Sequence, residues 1–138
     1  AFKQSVEEKA DRAHFNDARV IFEAYRHLLY DKVQELFIVI ALDTKLRKIS
    51  ETTISQGTLN RTVVSPRDVF RFALREAAYG VICMHNHPSG DPTPSTEDRT
   101  LTDALSKAGG HVGVKLLDHI VIGNSAYYSF REHGVLID

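Results

Sequence analysis

Three observations predict an α/β fold, a mixed β-sheet flanked by helices in one layered domain. The chain has 138 residues, 43% hydrophobic and 25% charged, which suits one globular core and not a disordered or fibrous polymer. Short apolar runs rich in β-branched residues alternate with amphipathic stretches that carry helix caps, the pattern of a sheet covered by helices. No internal repeat or interdomain linker interrupts that alternation.

The elements follow in order. Residues up to about Phe15 form a charged arm with no clear period. From Asn16, which suits an N-cap, the residues Val20, Ile21, Ala24, Tyr25, Leu28 and Leu29 recur at helical spacing. Glu35 then opens the apolar run Leu36 to Leu42, too short and too β-branched for a helix and closed by the turn-like Asp43-Thr44-Lys45, so it reads as a buried strand. Arg47 to Gln56 alternates loosely and ends at Gly57, and Leu59 to Val64 reads as a further short strand, which together predict a hairpin or meander. Ser65-Pro66-Arg67-Asp68 starts a helix, since serine can cap and proline suits the first helical position. That helix is predicted to run to about Tyr79 and to stop at Gly80. Val81 to Met84 is a short strand that delivers the chain into His85. A second capped helix begins near Ser95, carries Leu101, Ala104, Leu105 and Ala108 on one face, and is predicted to end at Gly109-Gly110. Strands over about 112–122 and 127–130 complete the domain.

Composition excludes several function classes. Net charge is -1, so no global positive field attracts phosphate backbones and DNA is not a default partner. Arg67, Arg71 and Arg75 form a row that could meet phosphates, but Val69, Phe70, Ala73, Leu74 and Ala77 take the opposite face, which makes the arginines the solvated side of an amphipathic helix. The apolar run from Leu36 is far too short to span a membrane and no signal-peptide pattern is present, so the expected compartment is the cytoplasm. A single cysteine, Cys83, rules out an internal disulfide framework and zinc sites built from several thiolates; within Val-Ile-Cys-Met it reads as a small core residue. Any metal must therefore be held by histidine and carboxylate. Of the seven histidines, His14, His27, His111, His119 and His133 are scattered, and only His85 and His87 are closely paired.

Residues 84–99 read MHNHPSGDPTPSTEDR. In an extended segment, residues two apart point to the same side, so His85 and His87 can present two imidazoles to one point. Catalytic zinc takes three nitrogen or oxygen ligands from protein and leaves a further position to water. The nearest downstream candidate for the third ligand is Asp98, eleven positions beyond His87, and Pro88, Gly90, Pro92 and Pro94 can bend and stiffen the loop between them. Ser95-x-x-Asp98 before an apolar helix is also the spacing of a capping box, and the residues alone leave both readings open. A zinc deaminase would need His-x-Glu and Pro-Cys-x-x-Cys, and neither that signature nor a His-Glu-x-x-His string occurs.

His85-x-His87, seven residues, then Ser95-x-x-Asp98 resembles the JAMM (MPN-plus) metalloprotease motif, and His-Asn-His-Pro-Ser-Gly-Asp-Pro-Thr-Pro-Ser resembles its bacterial RadC-like branch. Similarity to RadC-like proteins extends to Gln34-Glu35, Leu42-Asp43, Gly57-Thr58-Leu59-Asn60, Ser65-Pro66-Arg67, Leu117-Asp118-His119 and Gly123, and covers about residues 30 to 137. The resemblance implies a three-layer JAB/MPN domain, similar to cytidine deaminases in fold. It also implies one Zn2+ per chain on His85, His87 and Asp98 with water as the fourth ligand, and Ser95 as the hydroxyl that supports the oxyanion. Glu35 takes the place of the family's glutamate, with Glu51 as the second choice for the base. The implied activity is hydrolysis of a peptide or isopeptide bond in a peptide or protein substrate. RadC-like proteins also carry a historical DNA-repair label, which gives a DNA or repair-complex binding module as an alternative, and a metal-free MPN scaffold as another. Full-length relatives often carry a helix-hairpin-helix segment before this domain; this sequence shows none, so an isolated catalytic portion or a short relative is expected. Asp118-His119 lies outside the motif and reads either as a satisfied structural pair or as support for the ligands.

Overall fold

In a computed structural model of the chain, the described residues are 15–29, 33–56 and 64–136. The apolar run becomes β1 (Leu36–Leu42), which pairs antiparallel with β2 (Lys48–Gln56) on one side and with β3 (Gly80–Asn86) on the other. A strand paired on both edges and covered on both faces has no solvent side, which is why this run shows no alternation. Strand β4 (Lys115–Ile122) lies parallel to β3, and β5 (Tyr127–Ser129) closes the far edge antiparallel to β4, giving the order β2-β1-β3-β4-β5. The parallel pair needs a crossover, and the helix between its strands, Thr96–Val112, supplies it.

The helices divide between the two faces of the sheet. Helix α1 (Ala18–Leu29) buries Ile21, Phe22, Tyr25 and Leu29 against Ile38, Ile40, Ile82 and Ile120. Helices α2 (Pro66–Arg75) and α3 (Thr96–Val112) cover the opposite face, where Val69, Phe70, Ala73 and Leu105 meet Phe37, Val39, Val81 and Cys83. The result is the mixed-sheet, three-layer α/β domain that the sequence predicts. Arg67, Arg71 and Arg75 lie on the exposed side of α2. Among the described residues, no helix is long and apolar enough to cross a membrane. The expected strand over 59–64 and the charged arm fall almost wholly outside the described residues.

Several element ends differ from expectation, each for a local reason. The cap of α1 is Asp17 rather than Asn16, its carboxylate accepting the Arg19 N–H at 2.8 Å. Helix α2 stops at Arg75, short of Tyr79, because Ala77 takes the left-handed conformation at φ 52°. The Ala77 N–H then donates to the Leu74 carbonyl at 3.2 Å and the Ala78 N–H to the Ala73 carbonyl at 3.0 Å, the double bond of a Schellman ending. Helix α3 runs through Gly109 and Gly110 and ends at a left-handed Gly113. Gly109 is required by packing within the helix, since a Cβ there would lie 2.3 Å from the Val114 carbonyl oxygen.

An alanine in the left-handed region carries a steric cost that glycine avoids. Ala77→Gly is therefore expected to raise stability by about 0.5–1 kcal/mol in urea unfolding, after allowance for the greater freedom of glycine in the unfolded chain. A loss of stability on that substitution would contradict the capping assignment.

Candidate metal centre

Strand β3 runs two residues further than its apolar core, through His85 and Asn86. His85 sits opposite Phe37 of β1, with their rings stacked at 5.9 Å, on the face covered by α2 and α3. The His87 N–H donates to the Ile122 carbonyl at 3.0 Å, so the chain keeps its extended course for one more residue and both histidines face the same side. The loop that follows is pinned to the β4–β5 turn: the Asn124 N–H donates to the Gly90 carbonyl at 3.0 Å. Gly123 passes so close that a Cβ would lie 2.3 Å from that same oxygen. Within the loop, the Asp91 carbonyl oxygen lies 2.9 Å from His87 Nδ1, a bond that directs His87 Nε2 toward the centre.

The loop ends at Ser95, the N-cap of α3, and here the two readings of Ser95-x-x-Asp98 prove compatible. Ser95 Oγ accepts the Asp98 N–H at 3.0 Å and Asp98 Oδ2 accepts the Ser95 N–H at 2.8 Å, a complete capping box. The same carboxylate places Oδ1 3.2 Å from His85 Nε2 and Oδ2 2.9 Å from His87 Nε2. The cap is thus also the device that holds Asp98 against the histidines. Glu35, one residue ahead of β1, brings Oε1 to 3.6 Å from His85 Nε2.

Glu35, His85, His87 and Asp98 each offer a ligand atom, and these four atoms lie within 4.8 Å of one another. The two Nε2 atoms are 3.2 Å apart, as are His85 Nε2 and Asp98 Oδ1. Those spacings match the edge of about 3.3–3.4 Å of a tetrahedron whose zinc bonds to nitrogen and oxygen are about 2.0–2.1 Å. Two imidazole nitrogens and carboxylate oxygens are also the donor types that zinc accepts. The residues therefore fit a divalent cation.

The local electrostatics favour a carboxylate on Asp98 and a proton on His87. Burial disfavours the charged form of Asp98, but the His85 and His87 imidazoles beside it outweigh that and hold the carboxyl well below the usual carboxylate range. The bond to Asp98 raises the pKa of His87 above its ordinary value, with burial opposing. Carboxylate oxygens and imidazole nitrogens thus converge on one small volume, and a divalent cation bound there would displace the His87 proton.

Other candidates fall elsewhere. Glu51 is engaged by the Tyr25 hydroxyl at 2.6 Å and Lys48 Nζ at 2.6 Å, and it lies outside the cluster. Cys83 is fully buried in the core beneath α2 and α3, where burial pushes its thiol well above the ordinary value. Asp118 and His119 separate, because strand alternation sends them to opposite faces. Asp118 is a structural residue that accepts the Ser129 hydroxyl at 2.6 Å and the backbone N–H groups of Arg131 and His119. His119 reaches the site, its Nε2 2.8 Å from His85 Nδ1.

One contributor is not evident in the sequence. Asn86, between the two histidines, points to the opposite face, where Oδ1 accepts the Leu36 N–H at 2.7 Å and Nδ2 donates to the Gln34 carbonyl at 3.1 Å. Its amide grips the peptide units on both sides of Glu35 and so fixes where that carboxylate enters the site. Asn86→Ala is expected to lower stability by about 1–3 kcal/mol in chemical denaturation, the cost of two lost bonds at a buried position. No change in stability would mean that the clamp carries no load.

A mixed-sheet α/β domain with two histidines and two carboxylates gathered between a strand end and the first turn of the next helix defines a class of protein with a candidate metal centre. The sequence profile described as "RadC-like JAB domain" matches residues 15–135, and the chain belongs to that family. It is 48% identical over 122 residues to a UPF0758 protein of Trichlorobacter lovleyi, covering 88% of this chain and 53% of the relative. A UPF0758 protein of Thermotoga maritima is 54% identical over 103 residues, covering 75% of this chain and 46% of the relative. The chain therefore spans about half the length of the curated relatives it matches.

Proposed function

We propose that this domain is a zinc-dependent hydrolase of peptide or isopeptide bonds, of the JAMM metallopeptidase type, with His85, His87 and Asp98 holding the cation. The observation that carries this reading is the convergence of Glu35, His85, His87 and Asp98 within 4.8 Å at a strand end. Zinc held there supplies Lewis acidity, which polarises a carbonyl oxygen and brings the pKa of water toward about 7. Glu35, 3.6 Å from His85 Nε2, accepts a proton from water and returns it to the leaving amine. Ser95 is exposed, and its oxygen takes the Asp98 N–H, which leaves the hydroxyl hydrogen to donate to the oxyanion that forms on the substrate carbonyl. The buried ring of Phe37 lies against His85 and limits water on that side.

The test is incubation of the zinc-loaded domain with a peptide library and with isopeptide-linked conjugates, read by mass spectrometry of the products. Cleavage that stops on chelation and returns with added zinc is expected. A protein that binds zinc and cleaves neither class of bond would overturn the hydrolase reading while leaving the metal centre in place.

A further inference from the structure

Behind the candidate ligands runs a buried chain of hydrogen bonds whose direction can be read from its ends. Thr102 Oγ1 lies 2.7 Å from the Asp98 carbonyl oxygen and 2.6 Å from His119 Nδ1. A carbonyl oxygen only accepts, so the single hydroxyl hydrogen of Thr102 goes to Asp98. The Thr102 oxygen must then accept, and His119 Nδ1 carries the proton it receives. A neutral imidazole has one N–H, which leaves His119 Nε2 as an acceptor facing His85 Nδ1 at 2.8 Å. His85 therefore donates from Nδ1, and its neutral ring, the form that can ligate a cation, keeps its lone pair on Nε2, the atom that faces His87, Asp98 and Glu35.

The surroundings enforce this order. His119 has 0% exposure, stacks on Phe130 at 5.1 Å and meets the edge of Phe37 at 5.6 Å, and both of its ring nitrogens are taken by protein partners, Thr102 and His85. Reversing the chain would set the Thr102 oxygen against the Asp98 carbonyl with no hydrogen between them at 2.7 Å. Thr102 lies one turn beyond Asp98 on α3, so the helix that delivers the carboxylate also sets the proton order of the facing histidine.

We propose that Thr102 and His119 are positioning residues that fix the tautomer of His85, presenting its Nε2 lone pair to a divalent cation. This rests on the reading that the cluster takes such a cation, and it adds two residues that touch neither cation nor substrate. Outer partners of histidine ligands are carboxylates, carbonyls or water in the general case. Here the partner is a second histidine, whose own tautomer must be set in turn.

Two measurements test it together: zinc affinity by competition with a chromogenic chelator, and 1H–15N correlation spectra of the imidazoles in metal-free protein above neutral pH. Thr102→Val keeps the shape and removes the acceptor, and it is expected to weaken zinc binding about 10- to 100-fold, as loss of an outer-shell partner does. Thr102→Ser keeps the hydroxyl and is expected to stay within a few-fold of the parent. In the parent spectra, His85 and His119 are expected to carry their protons on Nδ1, and in Thr102→Val the His119 proton is expected to move toward Nε2. Zinc affinity unchanged in Thr102→Val, or a His119 proton on Nε2 in the parent, would overturn the proposal. A parent protein that binds no zinc yet shows the Nδ1 protons would overturn the cation reading and leave the tautomer order standing.

Discussion

Replacing Asp98 with asparagine is expected to strip the cation from the domain while leaving α3 capped. The amide oxygen can still accept the Ser95 N–H, now held at 2.8 Å by Oδ2, but the anionic donor that faces His85 Nε2 at 3.2 Å is lost. Loss of a ligand should exceed the roughly 10- to 100-fold that removal of an outer-shell partner costs, so zinc should be absent after dialysis. Asp98→Ala removes the cap as well and is expected to cost about a further 0.5–1.5 kcal/mol in unfolding, the value of one hydrogen bond. Metal analysis and urea denaturation of the two variants separate the roles. An asparagine variant that retains its zinc would remove Asp98 from the ligand set and leave it only as a cap.

Glu35→Gln should cut catalysis sharply with no effect on metal content. Glutamine preserves the length and shape of the side chain but cannot accept a proton from water. The expected fall in peptide-bond hydrolysis is about 10²- to 10⁴-fold, the range attributed to a positioned general base. Zinc content should match the parent, since His85, His87 and Asp98 are untouched. Full activity in this variant would move the proton-transfer role to another residue, and loss of zinc would make Glu35 a ligand instead.

Much of this was legible from the residues, and the exceptions are tertiary. The unbroken apolar run from Leu36 to Leu42 announced a strand buried on both faces, and its structure has that character. The spacing of His85 and His87 predicts a shared side, but their meeting with Glu35 depends on a pairing of β1 with β3 that sets Phe37 opposite His85 from far along the chain. His119 reaches His85 through the parallel register that sets it beside Cys83, again a non-local event. Ser95-x-x-Asp98 reads as a cap or as a ligand, and only the fold shows that one carboxylate oxygen caps the helix while the other faces His85, so the two readings do not compete. Helix ends misled for related reasons. Ala77 takes a conformation for which glycine is the usual signal, whereas Gly109 serves the close approach of the Val114 carbonyl and not a stop. Asn86 was silent because its role lies in backbone groups of a neighbouring segment.

The most direct test is the zinc content of the purified domain after zinc loading and dialysis, measured by inductively coupled plasma mass spectrometry beside His87→Ala. The predicted result is about one zinc per chain in the parent and none in the variant, with circular dichroism showing both folded. A folded parent protein that retains no zinc would contradict the metal centre, and Ser95 and Asp98 would then stand as a helix cap alone.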